Sequence, residues 1–422
     1  MHRKIDDRRQ TNLETRYPAG AIRDQAAGLP GRPQSRPADM IEVTEEQVLY
    51  FRARRGHLAG PGAVNAVAAA RAILGSQSQQ LPPSLLALSM RTKGRPTATT
   101  LKKEILESRT LVRTWGQRDT LHVYDPAAWA DVVAARAEWA PGARGGPMPA
   151  ETTLDKTLKV MKAASGPVTR TDLLGIAPAS YVRAIGERAG AASIDAERFA
   201  AARLIWRLAQ RGDACVADKV GAQQAYATRS AWFPKLKWPK VPAIRAAATL
   251  TQAYLAVYGA ATATDVAHFF GARVSNAKLW LAELDGELTT VRCGDRKGLL
   301  VLTRDIPDLT VKPPAAATKW PLRLLPLWDS MLMGHADKTW TVPDEADRRQ
   351  VWRKAAFVAA VAIARGRVVA TWTHKPQRGH LIVEVQPLSR WQASKHAAQV
   401  RREAEAVAGH LQLDDATVTI AN

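Results

Sequence analysis

The sequence predicts a mainly α protein with small β elements, an α+β fold, on three observations. Ala- and Leu-rich helical segments lead into short apolar runs typical of β-hairpins. One helix-link-helix pattern occurs twice, at residues 165–173 and 258–266. From Pro321 onward, strand-like runs replace most of the Ala-rich helices. Helices followed by a hairpin are the layout of a winged helix-turn-helix, so we expect tandem copies of it before a C-terminal α+β domain.

The first elements are predicted in chain order from local signals. Residues 1–40 are rich in Arg, Asp, Gly, Pro and Gln without apolar periodicity, which predicts a disordered N-terminal arm. A first winged-helix unit is expected over 41–140, and Thr44 followed by Gln47 is the capping-box pattern that begins its first helix. The further elements expected are helices over 44–55, 63–74, 85–91 and 98–108 and strands over 111–115 and 120–124.

A second unit is expected over 141–240 and a third over 241–318. In both, a helix ends at Gly, an extended link follows, and Thr begins the next helix with Asp in its first turn. Thr accepts from free backbone N–H groups there, and Asp complements the positive end of the helix dipole. The third unit continues with a helix over 277–284 and strands over 288–291 and 299–303.

The C-terminal α+β domain is expected over 319–422. Its predicted strands cover 323–328, 356–364, 367–373 and 380–385, and its long helix covers 391–411. Residues 374–380 lie between two of these strands and so form a predicted hairpin tip.

Composition excludes several protein classes. The chain has 422 residues, of which 46% are hydrophobic and 23% charged, as in an ordinary globular protein. Cys215 and Cys293 stand far apart without a ligand motif, so a disulfide scaffold, a zinc site and an iron–sulfur cluster are not expected. The apolar runs are about half a membrane span, and no signal-peptide core is present. We expect a cytoplasmic, nucleoid-associated protein.

The charge balance points to a polyanionic partner. Lys and Arg total 60 against 39 for Asp and Glu, a net charge of +21. A field of this sign attracts nucleic acid. The alternative is an Arg-rich proteome in which excess basic residues only aid solubility.

A polar run, Gly75-Ser76-Gln77-Ser78-Gln79-Gln80, follows directly on an Ala-rich helix. Glutamines at i and i+2 diverge on a helix but share a side on an extended segment. Taken alone, the run is explained by a surface helix cap.

The neighbouring motifs resemble those of the bacterial winged-helix DNA glycosylases. In that family a Gln-x-Gln or Gln-x-Asp pair precedes an Arg-Thr-Trp…Thr-Leu-His stretch, and later segments carry Leu-Pro-x-x-Asp, His-Ala-Asp-Arg and Gly-Thr-Trp. The corresponding segments here are 75–79, 111–115 with 120–123, 324–329, 334–338 and 368–372. The resemblance spans about residues 41–420. The chain departs from the pattern at Ser76, Ser78 and Lys338, where Leu, an aliphatic residue and Arg are common.

The resemblance implies tandem winged helices and excision of N7-alkylated purines. Its glutamine-pair branch, the AlkZ-like enzymes, unhooks interstrand crosslinks made by antibiotics such as azinomycin. Carried over to this sequence, Gln77 and Gln79 are the catalytic pair.

Neutral amides suit this chemistry. An amide cannot ionise, so neither glutamine can serve as an ordinary general base. A purine alkylated at N7 is already cationic and leaves without protonation. The remaining tasks are to stabilise the oxocarbenium-like sugar and to place a water, which fixed amide dipoles can do.

Further site residues are proposed from motif and charge. His122 is expected to be a DNA-facing donor and Asp329 to align water or fix its loop, and His335 in the same loop is a candidate supporting residue; each is alternatively a hydrogen-bonded structural residue. The predicted DNA-binding residues, each alternatively part of a solvated surface, are Arg91, Lys93, Arg95, Arg113, Lys235, Lys237, Lys240, Arg296, Lys297, Lys375 and Arg378. Neither a metal nor a cofactor is implied.

The leading hypothesis is a monomeric, monofunctional glycosylase acting on double-stranded DNA with alkylated purines, since nothing singles out a Schiff-base lysine. Crosslink unhooking would give self-resistance to a DNA-alkylating antibiotic. One rival is a non-enzymatic winged-helix DNA-binding protein or transcription regulator, which leaves the glutamine pair unexplained. Another is an inactive relative that shields damaged DNA.

Overall fold

The structure, a computed structural model, describes residues 41–139, 146–190, 193–354 and 356–421. The predicted arm over residues 1–40 lies outside this range. One compact unit runs from Met40 to Asn422, and its fold is mixed α and β. Within the described residues, every helix is too short or too polar to cross a bilayer.

A helix, a short extended segment, further helices and a hairpin follow one another in the first part of the chain. The elements are β1 (Ile41–Glu42), α1 (Glu45–Arg55), α2 (Ala66–Ala72), β2 (Ser76–Gln77), α3 (Leu81–Ser89), α4 (Ala98–Leu106), β3 (Val112–Trp115), β4 (Leu121–Tyr124) and α5 (Trp129–Ala135). Strand β4 lies between β2 and β3 and is antiparallel to both. The predicted capping box at Thr44 and Gln47 is confirmed.

The same order recurs in the next segment. Its elements are α6 (Glu151–Ala163), β5 (Val168–Thr169), α7 (Ala179–Ala189), α8 (Ser193–Gln210), β6 (Ala214–Val220), β7 (Gln223–Thr228) and α9 (Arg229–Trp232). Again the short strand β5 pairs antiparallel with the second hairpin strand, β7.

A third segment has the same topology. Its elements are α10 (Ala243–Tyr258), α11 (Ala263–Phe270), α12 (Val274–Ala282), β8 (Leu288–Cys293), β9 (Arg296–Leu302) and α13 (Ile306–Leu309). An isolated antiparallel β-bridge between Ala261 and Leu300 takes the place of the short strand found in the other two segments. The Thr262 and Asp265 side chains form the expected helix start, a second capping box.

The start of the compact unit packs on this third segment. Strand β1 pairs in parallel with β8, so that Ile41 lies opposite Val291. Phe51 of α1 shares a buried cluster with Val291 and Leu299. Residues 41–55 therefore pack on the hairpin of the third segment, although the sequence places them in the first unit. The predicted unit boundaries at 140, 240 and 318 remain predictions.

The C-terminal part is a five-stranded sheet with a long helix. Its elements are β10 (Arg323–Leu325), α14 (Ser330–Met333), α15 (Glu345–Val351), β11 (Trp352–Arg353), β12 (Phe357–Val358), β13 (Val361–Ala364), β14 (Arg367–Gln377), β15 (His380–Pro387), α16 (Ala393–Leu411) and β16 (Asp415–Ile420). The sheet order is β10-β13-β14-β15-β16, and only β15 and β16 are parallel. Helix α16 connects that parallel pair, as a crossover must.

Several features of the C-terminal strands differ from the prediction. Strand β10 ends at Leu325 and not at 328, and β14 continues to Gln377 through most of the predicted hairpin tip. The expected strand over 356–364 is divided, because β12 pairs with β11 in a separate ribbon. Strand β16 was not predicted, yet its alternating side chains pair along β15 from His380 to Val385.

Candidate active site

The glutamine motif lies on an extended segment next to the first hairpin. After α2, Leu74 and Gly75 adopt positive φ angles of 53° and 89° and redirect the chain into β2. A Cβ atom on Gly75 would lie 2.3 Å from Cε1 of Tyr124, so only glycine fits there. The close approach of this turn to β4 fixes where the motif begins.

Side chains alternate along the motif. Gln77 lies opposite His122 in the β2–β4 pair, and the Ser78 amide donates to the Leu121 carbonyl over 2.6 Å. Ser78 is fully buried, whereas Gln77 is partly exposed and Gln79 is exposed. Gln77 is the last residue of β2, and the buried Ser78 separates it from the exposed Gln79.

Arg113 supports the motif from the buried side. Its Nη2 donates to the Ser78 carbonyl oxygen over 2.7 Å, and its Nε donates to the Ser78 hydroxyl over 3.3 Å. This partner explains a polar residue at Ser78, because an aliphatic side chain would leave the guanidinium N–H without an acceptor. Arg113 is buried, so its prediction as a DNA-binding residue is wrong.

Three parts of the fold meet beside Gln77. A recess of about 10 Å³ is lined by Gln77 and His122 of the first hairpin, Phe269 of α11, and Trp328 and Ser330 near α14. A recess of this size has room for about one water molecule.

Arg118 forms a hydrogen bond with the side chain of Gln77. Its Nη2 donates to Oε1 of Gln77 over 3.0 Å, and its Nη1 donates to the Phe269 carbonyl. Desolvation lowers the pKa of this guanidinium to about 10, so it is charged at neutral pH. Arg118 was not predicted from the sequence; the available signal was its place in the turn between the Arg-Thr-Trp and Thr-Leu-His motifs.

His122 is buried next to Gln77 rather than facing DNA. Its Nδ1 lies 3.0 Å from the Thr120 carbonyl oxygen, so Nδ1 carries the proton and the ring is neutral. Only 1% of the residue is exposed, so the prediction of a DNA-facing donor is wrong. Desolvation, together with the nearby Arg118 charge, lowers the pKa of His122 to about 3.

The low pKa of His122 gives a testable pH dependence. The unfolded chain binds a proton on this residue below about pH 6.5, and the folded protein does so only near pH 3. The free energy of unfolding therefore falls with decreasing pH across that window, by up to about 1.4 kcal/mol per pH unit from this group. The free energy of unfolding, measured with denaturant, should differ less between pH 7 and pH 5 for His122→Gln than for the unsubstituted protein. Equal differences would contradict the assignment.

Asp329 fixes its loop to α3. Its two carboxylate oxygens accept from Nη1 and Nη2 of Arg91 over 2.8 and 2.7 Å, and both side chains are fully buried. Oδ1 also accepts from the Met331 amide, which caps α14. This geometry corresponds to loop fixation, not to water alignment. Arg91 is only 1% exposed, so its prediction as a DNA-binding residue is wrong.

His335 has a comparable structural environment. Its Nε2 donates to the Tyr258 carbonyl oxygen over 2.8 Å, and 6% of the residue is exposed. Desolvation and the nearby Arg52 charge lower the pKa of His335 to about 3. The neutral ring thus joins the loop after α14 to the end of α10.

The remaining predicted DNA-binding residues fall into two groups. Arg95 pairs with Glu403, and Arg296 pairs with Glu45 and Asp337, so their charges are already partnered. The exposed group comprises Lys93, Lys235, Lys237, Lys240, Lys297, Lys375 and Arg378. Of these, Arg378 lies in the turn of the β14–β15 hairpin and Lys375 lies near the end of β14, opposite Ile382; we call this end of the hairpin the β14–β15 tip.

Lys338 stands where the resembling family commonly has Arg. Its Nζ donates to the His335 carbonyl oxygen over 2.5 Å, lies 3.0 Å from Nε2 of His268, and lies 3.5 Å from the Leu332 carbonyl oxygen. Desolvation lowers the pKa of Lys338 to about 8. Three acceptors therefore occupy the three N–H groups of its ammonium form. Across the described ranges, no three His, Cys, Asp or Glu side chains converge as metal ligands would.

Comparisons with known proteins identify one family and similar proteins of known name. The family model "DNA glycosylase AlkZ-like" matches residues 70–410. An interstrand DNA cross-link repair glycosylase of Streptomyces sahachiroi is 26% identical over 341 residues, which cover 79% of this chain and 88% of that protein. The solved structure of the Streptomyces sahachiroi DNA glycosylase AlkZ superposes with a TM-score of 0.73 at 22% identity. That match covers 90% of this chain and all of the other.

Proposed function

The chain belongs to the AlkZ-like DNA glycosylase family, and we propose that it hydrolyses the N-glycosidic bond of bulky N7-alkylated purines in double-stranded DNA. The observation that carries this proposal is the pair of neutral amides at the end of β2, where Gln77 is partly exposed, Gln79 is exposed and Ser78 between them is buried. The relative from Streptomyces sahachiroi is named for interstrand crosslink repair. We extend the proposed substrates to such crosslinks, and the proposed role to self-resistance against a DNA-alkylating antibiotic.

The proposed mechanism needs no acid. An N7-alkylated purine departs as a neutral base, so the barrier lies in forming the oxocarbenium-like sugar and delivering water to its anomeric carbon. An amide fixed at the sugar can position that water, and a free amide carbonyl oxygen can stabilise the developing positive charge; neither role changes the protonation of the amide. Unmodified purines should react poorly, because their departure would require protonation.

The contacts of Lys338 support hydrolysis without strand cleavage. A lysine with a lowered pKa near a glycosylase site is a candidate Schiff-base nucleophile. Here the amine is directed to the His335 and Leu332 carbonyls and to His268, so it has no free approach to a sugar carbon. We therefore propose a monofunctional enzyme.

The three repeated helix–hairpin segments suggest how the protein binds a duplex. We propose that they are tandem winged-helix modules, and that the monomer binds DNA at the nucleoid in the cytoplasm. The exposed basic residues Lys93, Lys235, Lys237, Lys240 and Lys297, with the β14–β15 tip, would contact phosphates. Such contacts give affinity without sequence choice, which suits a lesion that can occur anywhere.

The hairpin contribution can be measured through salt dependence. The logarithm of the association constant for DNA falls linearly with the logarithm of salt concentration, and each lost phosphate contact should make this slope about 0.9 less steep. Lys375→Ser with Arg378→Ser should therefore lower the slope by up to about 1.8 for undamaged duplex DNA. Arg349→Ser is the matched control, because that exposed arginine already pairs with Glu345. Equal slopes for both proteins would exclude the hairpin tip from the interface.

One experiment separates the enzyme from its rivals. The protein is incubated with duplex DNA carrying N7-methylguanine at one position, and abasic sites are scored by alkaline cleavage. An enzyme converts the lesion to an abasic site and leaves the undamaged strand intact. A regulator forms no abasic sites and prefers one DNA sequence well above its non-specific affinity. Tight binding to the lesion without product would identify a shielding protein, and either result would overturn the proposal.

A further inference from the structure

We infer that Arg118 is a positioning residue that fixes the carboxamide of Gln77 and thereby makes the two glutamines of the motif unequal. The inference rests on the proposed function, because it assigns a role within the same site. It depends on one contact, from Nη2 of Arg118 to Oε1 of Gln77 over 3.0 Å.

The contact determines which way the amide faces. The two ends of a glutamine amide have similar shape and are assigned from their hydrogen bonds. A guanidinium has five donors and no acceptor, so the Gln77 atom that it meets must be the carbonyl oxygen. The Nε2 group of Gln77 therefore points away from Arg118.

Arg118 is itself held in place. It lies in the turn between β3 and β4 with a φ of 56°, and Nη1 donates to the Phe269 carbonyl of α11. Its guanidinium carbon lies 5.6 Å from the centre of the Phe269 ring. Within the described residues, no carboxylate forms an ion pair with it, so its charge acts on the Gln77 amide without local compensation. A charged donor makes a stronger hydrogen bond than a neutral one and polarises its acceptor.

The two amides consequently have different capacities. Gln77 presents N–H donors, which suit an oxygen of the deoxyribose or its phosphate. Gln79 is exposed and makes no side-chain hydrogen bond within the described chain, so its carbonyl oxygen remains free to accept from a water. A glutamate carboxylate could replace the acceptor oxygen of Gln79 but not the N–H donors of Gln77. Gln79→Glu should therefore retain single-turnover base release within about tenfold, whereas Gln77→Glu should lose about 100-fold or more.

The contact can be tested without measuring catalysis. A carboxylate at position 77 would form an ion pair with the Arg118 guanidinium. The change in Tm caused by Gln77→Glu should therefore be more favourable when Arg118 is present than in the Arg118→Met background. We expect a coupling of at least about 2 °C in the four-protein cycle. Additive changes in Tm would overturn the inference. Because this readout does not involve DNA, it stays informative even if the proposed function fails.

Catalysis supplies the second test. With a duplex carrying N7-methylguanine, Arg118→Met should reduce the single-turnover rate by about 10- to 100-fold with Kd for DNA within about twofold. Arg118→Lys should recover part of that rate. Arg136→Met is the matched control, since Arg136 bonds to Gly116 and Asp119 of the same turn without contacting Gln77. Equal rates for the Arg118→Met and Arg136→Met proteins, or a loss confined to Kd, would overturn the positioning role.

Discussion

Gln77→Ala and Gln79→Ala are each expected to lower the single-turnover rate of N7-methylguanine release by about 10²- to 10³-fold. The loss should appear in the rate and not in the affinity, because we propose that DNA binding depends on exposed basic residues elsewhere. Measurement requires enzyme in excess over a labelled duplex, with Kd determined separately in the same buffer. The change in Tm should be small for Gln79→Ala, since that side chain is exposed, and larger for Gln77→Ala, because it leaves Nη2 of Arg118 without its acceptor.

Gln80→Ala is the control for this experiment. Gln80 is the next residue, is exposed, and precedes α3 without a side-chain cap bond. Its substitution should leave the rate within about twofold. If Gln80→Ala were as damaging as Gln77→Ala, the segment would matter for its backbone and the amides would not be the catalytic groups.

Arg91→Met should be the most destabilising single substitution considered, at about 3–5 kcal/mol. It leaves the Asp329 carboxylate buried without the bidentate partner that now binds both of its oxygens. The free energy of unfolding in urea is the appropriate measurement, at neutral pH, where the carboxylate would otherwise be charged.

The double variant Arg91→Met with Asp329→Leu distinguishes a lost ion pair from lost packing. Replacing both partners removes the uncompensated charge, so part of the stability should return. The Met331 amide would still lose its acceptor, so recovery should remain incomplete. A double variant no more stable than Arg91→Met alone would contradict this account.

Local signals in the sequence predicted local structure well. Thr44 with Gln47, and Thr262 with Asp265, specify helix starts through side chains that bond within one turn, and both capping boxes are present. The shared side expected for Gln77 and Gln79 stays a prediction, because the β2–β4 pairing ends at Gln77. The capping boxes need only residues close in sequence.

Contacts between distant residues were not predictable in the same way. Arg91 and Arg113 were predicted to bind DNA because they are basic. Arg91 instead pairs with a carboxylate 238 positions away, and Arg113 donates to the Ser78 backbone. Whether a cation is exposed depends on which distant acceptor covers it. Arg118 was not predicted for the same reason, because its partners Gln77 and Phe269 come from separate parts of the chain.

The pH dependence of the chemical step tests the central claim most directly. Neither Gln77 nor Gln79 titrates, and the cationic purine needs no proton, so the single-turnover rate of N7-methylguanine release should be flat between about pH 6 and pH 8.5. The protein should be confirmed folded at each pH, because protonation of His122 in the unfolded chain favours unfolding toward acid. A rate independent of pH, lost in Gln77→Ala, is the predicted result. A bell-shaped or sigmoidal profile in the folded protein would reveal a titrating acid or base and contradict catalysis by two neutral amides.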